Sequence, residues 1–364
     1  MKRIVCMMFI FALVFTLNVA AQEATTEHIG VFVNNNTNSI QLINPTTQEV
    51  TDSLLKGELG TYGGGLFDVA ITPDGKTAIL SNFGDASLIF VDISGGFSGT
   101  PTVLGIVPVG FFAEDVAITP DGKYAFVTDG GFSSVIALVD IASRSLISIK
   151  TLPEQAQAVS ITPDGQTLVT VGYFNNTITS YTLSSEGGLT LNGTEYLAPC
   201  HPVNVAISPD GKTVIAVSAD RYHVVALALE NGILYYNGPV SGLVKGGQSC
   251  VFSNDGTKAY IFHNPIIDGA KIQVLDVTGP GQVTPSGTIA LSIPRGTSQV
   301  FGVETMAIDP TGQYLYVTNP TVSGGVSEIA VIDLATNTEV NQIKGNGVPL
   351  GIAFGTMEHP AVIE

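Results

Sequence analysis

The chain has 364 residues, 45% of them hydrophobic and 12% charged, with 41 glycines and a formal charge of −17 at pH 7. This composition excludes a disordered chain and suits many short buried strands joined by tight turns. The acidic balance repels phosphates, so nucleic acid and anionic membrane drop out as partners, while cations, basic proteins and neutral sugars remain.

Residues 1–21 read as a secretory signal: Lys2 and Arg3, an apolar run from Ile4 to Leu17, then small residues Val19 and Ala21. The run is too short for a transmembrane helix, and Cys6 lies inside it rather than just after the cleavage point, which argues against a lipid anchor. The expected product is exported to a periplasm or the cell exterior. It is expected to be a monomer with no membrane span and a single domain over 22–364.

From Gly30 to Val50, GVFVNNNTNSIQLINPTTQEV supplies two apolar strands. The phrase DVAITPDGK then stands at Asp68–Lys76 and again, unchanged, at Asp115–Lys123. Weaker copies start at Ala158, Asn204, Ser249 and Thr305, and the truncated GIAF at Gly351 keeps only the first half. A spacing of roughly 45 residues marks a repeat architecture. Each unit is a short strand, a Pro-Asp-Gly hairpin turn, a second strand such as YAFVTD, a third such as VIALVD and a less regular fourth. Four antiparallel strands per unit predict the blade of a β-propeller, and no window carries the 3.6-residue period of a helical repeat. Six internal units, plus one assembled from the incomplete ends, predict an all-β, seven-bladed propeller. Its ring closes by pairing the N-terminal strands with the C-terminal one, which removes an exposed sheet edge.

Cys200 and Cys250 remain after the signal. An oxidising compartment permits a disulfide between them. Their placement, one in a loop and one in a strand, equally fits two separate buried thiols.

YAFVTDGGFSSVIALVDIASRS (Tyr124–Ser145) and YLYVTNPTVSGGVSEIAVIDLATNTEV (Tyr314–Val340) resemble the YVTN-type propeller repeat, a group related to the seven-bladed lactonase family. The segment Tyr181–Lys212, with Pro199, Cys200 and His201, is similar to a phrase of that lactonase family. The family's later Gly-Pro-Arg-His phrase is replaced here by GGQSC, Gly246–Cys250. The resemblance implies the propeller fold and, in its narrower form, hydrolysis of sugar-acid lactones.

In such a blade the first strand begins, and the second ends, on one face of the disc, here the upper face, where connections between blades also gather. The strand starts bring Phe67, Asp68, Glu114, Asp115, Gln157, His201, Asn204, Gln248 and Glu304 to it. The strand ends add Asn34, Asn82, Asp129, Asp220, His263 and Asn319, beside the basic-aromatic group Arg221, Tyr222 and His223. One expectation is a ligand-binding funnel through Asp68, Glu114, Asp115, Asp129, Gln157, Asn204, Asp220, Gln248 and His263. Asp68, Glu114 and Glu304 could hold a divalent cation, calcium or magnesium, although none is required. The other expectation is structural, with the repeated Asp accepting backbone N–H groups of the adjacent blade. Three functions follow: a binding or scaffold module for a small molecule or protein; a lactone hydrolase in which His201 or a metal activates water, with Glu304, and Arg221 holds a carboxylate; or an adhesion protein using its outer strands. The Pro-Asp-Gly turns belong to the lower face, as architecture.

Overall fold

The computed structural model describes residues 25–60, 65–131, 133–197, 200–218, 224–242, 247–263, 270–292, 305–318 and 328–359. The segment expected to be a secretory signal, residues 1–21, lies outside these. Seven four-stranded antiparallel sheets form the blades of a propeller, and no α-helix occurs among the described residues.

Blade 1 closes the ring. Its innermost strand is Pro349–His359, followed outward by Thr25–Asn34, Ser39–Asn44 and Glu49–Val50. The two terminal strands pair from Thr25 against His359 to Asn34 against Pro349. The pairing therefore extends beyond the apolar GVFV and GIAF segments into TTEHIG and GTMEH, whose polar residues give no strand signal. Cross-strand bonds supply the register there: His28 to Thr356 at 3.0 Å, and His359 to Glu27 at 3.1 Å.

The innermost strands of blades 2 to 7 are Leu66–Ile71, Ala113–Ile118, Ala158–Ile161, Pro202–Ile207, Gly247–Phe252 and Met306–Ile308. Because successive side chains point to opposite sheet faces, each second strand feeds two interfaces. Ala78 and Leu80 pack towards blade 1, whereas Ile79 packs towards blade 3. The core is accordingly seven separate apolar clusters, one between each pair of neighbouring blades. This arrangement lets a chain of this length bury its apolar residues without one large core. Cys200 lies in the cluster between blades 4 and 5 and Cys250 in that between blades 5 and 6; both are buried thiols, not joined to one another.

On the lower face the hairpin turns are built alike. Thr72, Thr119, Thr162, Ser208 and Ser253 each donate a hydroxyl bond at 2.6 Å to the aspartate two residues on. In blade 7 the pair is reversed, Thr311 donating back to Asp309 at 2.6 Å. The turn glycines have φ near +70°, as in Gly122 (+71°) and Gly211 (+72°), a region that side-chain-bearing residues avoid. They also lie against the turn of the preceding blade: a Cβ on Gly122 would meet Pro73, and one on Gly165 would meet Pro120. The turns thus form a packed ring of their own.

Candidate functional site

The repeated aspartates join blades. Asp68 Oδ2 accepts the Val116 N–H of the next blade at 3.2 Å, Asp115 Oδ2 that of Val159 at 2.7 Å, and Asn204 Oδ1 that of Cys250 at 3.2 Å. A second stitch runs beside the first. Ser81 donates to the Glu114 carbonyl at 2.5 Å, Thr128 to that of Gln157 at 3.1 Å, and Thr318 to that of Leu350 at 2.6 Å. Burial, the charge of Asp115 and a side-chain bond with it push the Asp68 carboxyl well above its usual range, against two backbone N–H bonds that favour ionisation.

The residues just before these positions are set apart by β-bulges. The pairing of inner and second strands shifts between Leu66 and Val69, Ala113 and Val116, Pro202 and Asn204, and Gly247 and Ser249. A bulge inserts an extra residue and re-aims its side chain, so Phe67, Glu114 and Gln248 leave the regular alternation at the upper rim.

Glu114 is buried, 4% exposed, and its Oε2 accepts from Gln157 Nε2 at 2.6 Å. Gln155 Nε2 in turn reaches Gln157 Oε1 at 3.3 Å, and Gln155 Oε1 accepts the Phe174 N–H at 3.1 Å. A polar chain thus crosses from blade 3 to blade 4. Burial raises the Glu114 carboxyl to about 8, opposed by the Gln157 bond and reinforced by the negative charges of Asp129 and Asp68.

Aromatic rings flank this chain on both sides. Phe67, Phe83 and Phe112 form a continuous stack, with centroids 4.8 Å and 4.6 Å apart and interplanar angles of 22° and 18°. Phe112, the outer member, is 48% exposed. On the other side Tyr173 meets Phe174 edge-on at 5.0 Å, and Phe174 is 53% exposed. Between them the turn after Asp129 has no room for side chains: a Cβ on Gly130 would run into the Glu114 carboxylate and the Phe83 ring, and one on Gly131 into Phe112 and Asp129. Asp129 accepts the Gly131 N–H at 2.8 Å and the Ser133 N–H at 3.2 Å, which fixes that turn.

His201 lies beside the second aromatic group. Its Nδ1–H donates to the Tyr173 carbonyl at 2.9 Å, and its ring is tilted against Tyr173 at 5.1 Å. His263 is fully buried at the end of the second strand of blade 6, opposite Gly247. Gln248 is also buried, and among the described residues both its amide atoms lack hydrogen-bond partners, as do Ser249 Oγ and Thr305 Oγ1. Asp220, Arg221, Tyr222, His223, Glu304 and Asn319 lie outside the described residues. Among the described residues no group of three or more His, Cys, Asp or Glu is gathered as a metal would require.

Cavities also open on the lower face. One of about 770 Å³ lies among Pro163, Asp164, Pro209, Asp210, Lys212 and Glu230. Its Asp164 and Asp210 are already held by the Thr162 and Ser208 hydroxyls of their own turns. We therefore read it as space between rigid turns.

The sequence reading named Glu114, Gln157, Asp129 and Phe67, and the structure brings them into one sector over blades 2 to 4. It did not name Gln155, Phe83, Phe112 or Phe174. The available signal was the aromatic residue directly after a strand end, Phe83 after Asn82 and Tyr173 after Gly172.

No family profile matches the chain, and no curated protein matches its sequence. Solved structures do. A protein of unknown function from Desulfotomaculum acetoxidans superposes with a TM-score of 0.76 at 20% identity, covering 91% of this chain and 99% of its own. A Bacteroides fragilis protein described as a candidate 6-phosphogluconolactonase gives 0.69 at 18%, covering 90% and 98%. The periplasmic gluconolactonase of Pseudomonas aeruginosa gives 0.67 at 16%, covering 93% and 100%. At these identities the likeness is one of fold: the chain is a seven-bladed propeller of the architecture seen in those structures.

Proposed function

We propose that the protein is an exported binding propeller that takes a small ligand on its upper face, over blades 2 to 4. The observation that carries this reading is the buried chain Glu114–Gln157–Gln155, which ends at Phe174 and is flanked by partly exposed rings. Amides and a carboxyl fix the orientation of a ligand, while rings supply apolar contact, the usual division of labour in a small-molecule site. Asp115 and Asp129 lie on this face and the chain carries a formal charge of −17, so the ligand is neutral or cationic rather than phosphorylated. A thermal-shift screen of the mature chain against sugars, amines and organic acids tests the reading. The stabilising ligand should lose its effect in Gln157→Ala, and a ligand indifferent to Gln157→Ala would place binding elsewhere.

A second reading, lactone hydrolysis, is favoured by Glu114, which holds a proton up to about pH 8 and could protonate a leaving oxygen. The fold likeness to gluconolactonase structures points the same way. His201 would then be the base that activates water, with Glu304, Arg221 and a calcium or magnesium ion as further participants. Turnover of a lactone panel, with and without divalent ions, checks this: activity lost in both Glu114→Gln and His201→Ala supports it, and no turnover of any lactone removes it.

A further inference from the structure

Neighbouring blades are tied near the upper, inner end of each seam, and the ties are unequal around the ring. Asp68, Asp115 and Asn204 join blades 2 to 3, 3 to 4 and 5 to 6, each by accepting a backbone N–H of the next inner strand. Thr318 ties blade 7 to blade 1, and Asn35 Nδ2 ties blade 1 to blade 2 by donating to the Leu66 carbonyl at 2.8 Å. Between blades 4 and 5 the corresponding residue is Ala158, but His201 crosses the rim there to the Tyr173 carbonyl.

Between blades 6 and 7 no tie of this kind occurs among the described residues. The position of Asp68, Asp115 and Asn204 is filled by Ser249, whose hydroxyl ends one atom short of the oxygen that those residues extend to the next blade. It is buried and unbonded. The strand partner of Ser249 is Phe262, a buried ring where blades 2 and 3 have the hydroxyls of Ser81 and Thr128, so the second stitch is lost as well. Beside them Gln248 has neither amide atom bonded and Thr305 an unbonded hydroxyl, both of them buried. Elsewhere the same seam is held. On the lower face Asn254 Nδ2 donates to the carbonyls of Asp309 and Pro310 at 3.3 Å and 3.1 Å, and at the outer strands the N–H and hydroxyl of Ser292 donate to Glu339 at 2.6 Å and 3.0 Å.

A buried polar group without a partner raises the energy of the closed seam, and water entering on opening supplies that partner. Parting any other seam at this level breaks a hydrogen bond. Parting this one breaks none and satisfies three side chains, and regions of that kind open locally at the lowest cost.

We propose that the seam between blades 6 and 7 is a built-in opening of the ring. Its upper, inner end parts to admit water to Gln248, Ser249 and Thr305, while the lower turns and outer strands act as the hinge. The seam lies across the ring from blades 2 to 4, so it does not depend on a ligand being bound there.

Thiol labelling tests the proposal, because a buried thiol reacts only when its surroundings open. In a chain of residues 22–364 carrying Thr305→Cys, the introduced thiol reports on this seam, while the native Cys200 and Cys250 report on the seams between blades 4 and 5 and between blades 5 and 6. Under native conditions iodoacetamide should modify position 305 at least about tenfold faster than either native thiol, as read by peptide mass spectrometry. Adding Ser249→Asn, which restores the longer acceptor found at Asn204, should slow that reaction about tenfold and leave Cys200 and Cys250 unchanged. Melting curves establish that the variants fold. Should Ser249→Asn fail to fold, Gln248→Met carries the same test: removing the unbonded amide should slow labelling at position 305 and raise the melting temperature. Labelling of all three thiols at one rate, or fast labelling at position 305 that the folded second-site variant leaves unchanged, would overturn the proposal.

Discussion

Asp115 of blade 3 accepts the backbone N–H of Val159, in blade 4, at 2.7 Å, and Asn204 makes the same bond to Cys250 between blades 5 and 6. The two residues differ in charge and are alike in geometry. What the position requires is an acceptor of that length. Asp115→Ala should therefore leave a buried N–H unmet and cost about 1–3 kcal/mol, while Asp115→Asn should cost much less. Urea unfolding of the two variants checks the contrast.

The same comparison bears on pH. Asp68 has its folded carboxyl pushed above the unfolded range, and Glu114 is raised from 4.5 to about 8. A group raised in the folded state stabilises fully below its unfolded value and loses that contribution as pH climbs through the folded value. Glu114 thus makes the protein lose stability between about pH 4.5 and pH 8. The melting temperature should fall from pH 5 to pH 9, and Asp68→Asn together with Glu114→Gln should flatten the decline. A wild-type protein that melts higher at pH 9 than at pH 5 would contradict the raised values.

Blade 7 offers a swap. Its turn reads Asp309-Pro-Thr311 where blades 2 to 6 have Thr or Ser with Asp two residues on, and the hydroxyl-to-carboxylate bond survives with donor and acceptor exchanged. Asp309→Thr alone and Thr311→Asp alone should each destabilise by about 1 kcal/mol. The double substitution should recover most of that loss, a coupling readable in a double-mutant cycle.

Ring closure can be tested by trimming. Gly355 to His359 pair with Thr25 to Ile29, and of these Met357 and Ile29 are buried in the apolar cluster between blades 1 and 2. Deleting residues from Gly355 onward should leave the propeller folded but less stable, by about 2 kcal/mol or more for several lost strand bonds. Proteolysis should then begin at the newly unpaired N-terminal strand, which N-terminal sequencing of the first fragments would reveal.

The fold was legible because the same phrase recurs, and the incomplete segments at Gly30 and Gly351 could only complete each other. The terminal extension was not legible, since polar Thr26, Glu27, His28 and Glu358 carry no alternation. The site was legible in part. Glu114 and Gln157 stood out by differing between copies, but the bulges that turn Glu114 and Phe67 out of register are invisible in a phrase that reads as one continuous strand. Phe83 and Phe112 belong to connections, where a ring in the sequence says nothing about whether it meets another. Asp68 and Asp115 were expected either to bind a ligand or to join blades, and only their bonds to Val116 and Val159 reveal the joining.

Both readings of the upper face depend on Glu114 being buried against Gln157 beneath the phenyl stack. The most direct test is a carboxyl-carbon NMR titration of Glu114 in a chain of residues 22–364, with Gln157→Ala alongside. A midpoint of about 8 is expected, shifting further upward when the Gln157 bond to the carboxylate is removed. A midpoint near 4.5, unmoved by Gln157→Ala, would show an ordinary solvated carboxylate and contradict the site.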